Sequence, residues 1–125
     1  MTHWMGGVSA RTLLSGASTD GRFSIVEHRL RPRELAAPMH MNQREDEYSM
    51  VTDGKIGFVL GDDVVTGKTG DLVLKPRAQW HTFFNNGDTE ARLLEIISPS
   101  GFENYFDELA GFFPADAPPD LEWHG

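Results

Sequence analysis

The chain of 125 residues has no cysteine. That excludes disulfides, thiolate metal sites and cysteine nucleophiles together, so any metal would have to be held by imidazole, carboxylate or amide oxygen. A run of about 18 apolar residues is also missing, as is an amino-terminal charged segment followed by an apolar stretch. Neither a transmembrane helix nor a signal peptide is visible, and a soluble, cytoplasmic protein is expected. Basic residues are in short supply, with 11 Lys and Arg against 19 Asp and Glu and a net charge of -8. Such a chain repels phosphate backbones and anionic lipid and has no basic stripe, so neither nucleic acid nor a membrane is expected as partner. The same excess of acid also serves solubility.

What is present is turn chemistry. Thirteen glycines and seven prolines punctuate a chain of one-domain length, which points to short strands and an all-β fold. From Phe23 to Ser98 the apolar runs are Phe23 to Leu30, Ala36 to Asn42, Glu47 to Thr52, Lys55 to Leu60, Val64 to Thr66, Asp71 to Lys75, Trp80 to Asn85 and Ala91 to Ser98. That makes about eight strands. Asp53-Gly54 carries a strong two-residue hairpin signal. Ile56, Phe58 and Leu60 alternate with polar or small residues, as on a strand with one buried face. Arg92 to Ile97 is apolar on both faces and calls for a cover. Phe102, Tyr105, Phe106 and Leu109 fall at i, i+3, i+4 and i+7, with Ser100 and Glu103 at capping-box spacing, so a helix over Gly101 to Ala110 is the expected cover.

His40 and Asn42 share a face of one strand, and Glu47 arrives after a short polar turn; His81, Phe83 and Asn85 share a face of a later strand. A barrel joining these strands would bring two imidazoles, a carboxylate and an amide to a common interior point. Two neutral imidazoles with one carboxylate suit Fe(II) or Mn(II) with open positions, and Zn(II) also takes that set. Taken alone, the histidines serve equally well as satisfied interior residues, and the alternative for Glu47 is one more carboxylate on a turn, although Glu45 and Asp46 already suit that turn. Asn85 precedes Asn86-Gly87 and reads as a turn-bonding residue rather than a site residue. Tyr48, Met50, Phe58 and Phe83 are candidates to line a pocket, although aromatics on strands are more often plain core.

The spacing resembles the two motifs of the cupin superfamily. The first, G-x5-H-x-H-x3-4-E-x6-G, is matched by His40, Asn42, Glu47 and Gly54; the second, G-x5-P-x-G-x2-H-x3-N, by Gly70, Pro76, His81 and Asn85. Glu34 stands in place of the opening glycine, Ala78 in place of the glycine after Pro76, and Asn42 in place of the second histidine. The resemblance implies a double-stranded β-helix, the cupin jelly-roll barrel, over 23–98, with an arm or edge strand over 1–22 and a short helix and tail over 99–125. It implies His40, Glu47 and His81 as ligands of a divalent metal (Fe, Mn or Zn), with position 42 open. It also implies a dioxygenase-like enzyme acting on a small organic molecule, in which Glu47 is an alternative general base. Asn42 keeps a second possibility in view: a metal-free isomerase or cyclase, or a small-ligand-binding protein. A homodimer is expected, since small cupins pair.

Overall fold

A computed structural model describes residues 1–101 of the chain. Ten strands run through them: β1 (Thr2–Met5), β2 (Val8–Leu14), β3 (Ser24–Leu30), β4 (Glu34–Leu35), β5 (Asp46–Asp53), β6 (Lys55–Leu60), β7 (Asp63–Lys68), β8 (Leu72–Lys75), β9 (His81–Asn85) and β10 (Ala91–Ser98). A 3₁₀ turn at Gly16–Thr19 separates β2 from β3. All strand pairs are antiparallel, in a six-stranded sheet β1-β2-β3-β10-β5-β8 and a four-stranded sheet β4-β9-β6-β7. The fold is all-β, as the turn chemistry predicts and the resemblance implies. The helix expected over Gly101 to Ala110 lies outside the described residues but for Gly101. No helix among the described residues is long and apolar enough to cross a membrane.

Alternation decides which side chains enter the barrel. Along β10, Ala91, Leu93, Glu95 and Ile97 are buried and their neighbours only half-buried; along β5, Glu47, Ser49 and Val51 are buried between half-buried Tyr48 and Met50. The inner faces meet in a core of Val8, Leu30, Val51, Ile56, Phe58, Phe83, Ala91 and Leu93, drawn from both sheets. Tyr48 and Met50 therefore do not line the interior with Phe58 and Phe83. They sit on the opposite face of β5, in register with the exposed Leu74 and Leu72 of β8, because the period of a strand is two.

Two local expectations also change. Asp53-Gly54 is not a hairpin turn, since β5 and β6 belong to different sheets; Gly54, at φ 83°, turns the chain from one sheet into the other. A Cβ there would lie 3.3 Å from that of Ala91, so glycine suits the corner twice over. The hairpin is instead β6–β7, closed at Gly61-Asp62 with Gly61 at φ 60°. Ala36 to Asn42 is not a continuous strand either. It touches β9 through Ala36 N–H to the Phe83 carbonyl and through an isolated bridge between His40 and His81. Pro38, which has no N–H to give a ladder, lies between these contacts.

Candidate functional site

His40 and His81 face each other across that bridge, exchanging backbone N–H···O bonds of 3.0 and 2.8 Å. Their rings stand edge to face with centroids 4.4 Å apart. Each ring is fixed in the same way. Nδ1 of His40 lies 3.0 Å from the Pro38 carbonyl, and Nδ1 of His81 lies 3.0 Å from the Gln79 carbonyl. A carbonyl only accepts, so Nδ1 carries the proton and Nε2 of each neutral ring presents a lone pair. His81 Nε2 is buried without a hydrogen-bond partner among the described residues. His40 is half-buried, and burial lowers its pKa below 6.5, aided by the charges of His81 and Lys75 and opposed by the Pro38 hydrogen bond and Glu47.

Glu47 is buried beside them, with Oε2 3.5 Å from His81 Nε2. Its oxygens are already engaged. Asn42 Nδ2 donates to Oε1 at 2.8 Å, and the Lys75 ammonium lies 3.0 Å from Oε2. Lys75 is fully buried, at 0 % exposure, and also donates to Glu95 Oε1. Its Nζ stands 4.6 Å above the centre of the Phe83 ring. Glu95 receives in addition Ser49 Oγ at 3.3 Å and His28 Nε2 at 2.9 Å, and His28 Nδ1 meets the Ser9 carbonyl at 2.9 Å. Titratable side chains thus form one buried chain from Glu47 through Lys75 and Glu95 to His28. Desolvation alone would lower Lys75, but Glu95 and Glu47 outweigh it and raise its pKa above 10.5. Desolvation likewise opposes ionisation of Glu95, yet Lys75 and His28 hold its pKa well below 4.5.

A divalent metal fits this set only in part. The two presented Nε2 atoms and the Glu47 carboxylate are suitable donors, and anchoring Nδ1 on carbonyls is how metal-binding histidines are held. The ammonium is not suitable. A dication bound to Glu47 would meet the Lys75 ammonium on the same carboxylate and be repelled by it, and Asn42 spends its amide N–H on the other Glu47 oxygen. Among the described residues no group of three His, Asp or Glu side chains has the geometry to hold a metal ion. The residues as arranged do not fit a divalent ion.

Of the residues singled out by sequence, His40, Asn42, Glu47 and His81 come together; Phe58 and Phe83 lie in the core beside them; Tyr48 and Met50 do not join. Asn85 ties down the β9 end, donating to the carbonyls of Leu30, Arg31 and Thr89 and accepting from Gly87 N–H. Sequence reasoning missed Lys75 and Glu95. A signal was present: Glu95 lies two residues from both Leu93 and Ile97, on the buried face of its strand.

The family model for the cupin domain matches residues 26–97. No curated protein sequence matches the chain. Among solved structures, a sugar phosphate isomerase of the cupin superfamily from Silicibacter pomeroyi is 27% identical with a TM-score of 0.66, over 75% of this chain and 60% of that one. This chain thus spans less than two thirds of that protein. A predicted oxalate decarboxylase from Thermotoga maritima is 22% identical with a TM-score of 0.70, over 74% of this chain and 80% of that one. KdgF from a Halomonas species is 15% identical with a TM-score of 0.68, over 76% of this chain and 81% of that one. The last two likenesses speak for the fold.

Proposed function

The chain belongs to the cupin family, and from that premise we propose that it is a metal-independent isomerase of a small hydroxy-carbonyl compound. The His40 and His81 imidazoles would move the proton. The observation that carries this reading is the buried, unpartnered Nε2 of His81 beside the half-buried ring of His40, next to a Glu47 whose oxygens are already taken. Isomerisation at a carbonyl needs one base to remove a proton from the neighbouring carbon and one acid to return a proton to the adjacent position; oxidation state and atom count stay unchanged. An imidazole serves in either role near neutral pH. The lowered pKa of His40 keeps it in its basic form there. The similarity at 27% to a sugar phosphate isomerase supports the reaction type and the hydroxy-carbonyl class. In this reading the partner is a small molecule, and the expected homodimer is checked by light scattering.

A second reading, a metal-dependent enzyme of dioxygenase type using His40, Glu47 and His81, has one observation in its favour: both Nδ1 atoms are anchored on carbonyls. One experiment separates the two. Purified protein is incubated in D₂O with a panel of sugar phosphates and hydroxy-keto acids, with and without EDTA, and the carbon next to the carbonyl is followed by NMR. Deuterium should enter with chelator present and fall by at least about 100-fold in His81→Gln. Exchange with no member of the panel, or exchange abolished by EDTA, would sink the metal-independent isomerase.

A further inference from the structure

Building on the metal-independent reading, we propose that Lys75 is an internal counter-cation that takes the place of a metal ion in this barrel. Its ammonium would be the device that keeps divalent ions off His40, His81 and Glu47. The barrel interior brings two carboxylates, Glu47 and Glu95, close enough that each touches the same Nζ. Unpaired carboxylates so deep in a protein must be neutralised by a cation or a proton. Lys75 supplies the cation from the last position of β8, which is opposite Glu47 in the sheet register. Asn42 completes the exclusion by donating an N–H to Glu47 Oε1, so that the amide faces the carboxylate with its nitrogen. The imidazoles are thereby left with presented nitrogens but without the free carboxylate that a dication needs.

Removing the ammonium while restoring the imidazole should convert the barrel into a metal site. Four proteins are compared by titration with Co(II) and Zn(II), reading the cobalt absorption bands and bound metal after dialysis: wild type, Lys75→Met/Asn42→His, the same with Glu95→Gln, and the last with His81→Ala. The Glu95→Gln version guards against failure to fold when a carboxylate is stranded, and circular dichroism confirms folding. Wild type should retain no stoichiometric metal. The version with Glu95→Gln should bind one equivalent at least about 100-fold more tightly than wild type and lose it when His81 is removed. A folded Glu95→Gln version that gains no affinity would overturn the role of Lys75, with the isomerase reading still standing on its exchange test. Wild type that binds one equivalent as tightly as the variants would overturn both.

Discussion

Two parts of the barrel interior are equally buried and held in opposite ways. In one, Leu30, Val51, Ile56, Phe58, Ala91 and Leu93 pack hydrocarbon on hydrocarbon. In the other, Glu47, Lys75, Glu95 and His28 form an ionic chain under His81, between that core and a second apolar cluster of Ala10, Val26 and Ile97. Dispersion and burial are non-directional and degrade gradually as volume is removed. An ionic chain in a dry interior is worth little net against a well-packed apolar substitute, but it fails abruptly when one member is lost. The hydrocarbon part therefore supplies stability, and the ionic part specifies an arrangement.

The largest effect should come from breaking the ionic part by one charge. Lys75→Met strands two carboxylates and should cost about 3–5 kcal/mol at neutral pH by urea unfolding, whereas Lys75→Met with Glu47→Gln and Glu95→Gln should recover most of the loss. For comparison Ile56→Val, in the hydrocarbon part, should cost about 0.5–1.5 kcal/mol. A triple variant no more stable than the single one would erase the distinction between the two.

The next effect is a pH dependence that belongs to the ionic part. The folded pKa of Glu95 lies below its unfolded value, so its contribution is present above about pH 4.5 and is lost as pH falls through the depressed folded value. Lys75 is shifted upward, so its contribution is present below about pH 10.5 and is lost as pH rises through the folded value. Thermal melts should show wild type less stable on both sides of a plateau, and the triple variant should be flatter. Equal curvature in the two would place the dependence on surface groups such as the Asp46–Arg77 pair.

The smallest effect lies beside the ionic part, at a residue bonded to Asn42. Ala78 takes φ 62°, a left-handed conformation, where the motif has glycine, and its N–H bonds to the Asn42 carbonyl at 2.7 Å. Ala78→Gly relieves a strain of about 1–2 kcal/mol against the extra unfolded-state freedom of glycine, for a net gain of up to about 1 kcal/mol. A loss of stability would show that the conformation is not strained.

Much of this was legible beforehand. The alternation in Lys55 to Leu60 and the glycines at 61 and 70 located strands, because strand period and turn chemistry are local, and the resemblance to the cupin motifs implied that His40, Glu47 and His81 converge. The sheet assignment of β5 and β6 was not legible, since Asp53-Gly54 suits a hairpin and a barrel corner equally. Glu95 could have been noticed as a charge in line with Leu93 and Ile97. Lys75 could not have been distinguished from a strand-end lysine in water.

Composition by itself determined an all-β chain without thiol chemistry, and the resemblance to the cupin motifs implied a barrel with two histidines and a glutamate turned toward one point. Only the tertiary structure decided what that point holds. Glu47, Lys75 and Glu95 lie on three different strands, and their contact exists only once β5 has paired with β8 on one side and β10 on the other. Closing the barrel removes the water that would otherwise separate these charges, and in that dry space the ammonium must sit against the carboxylates.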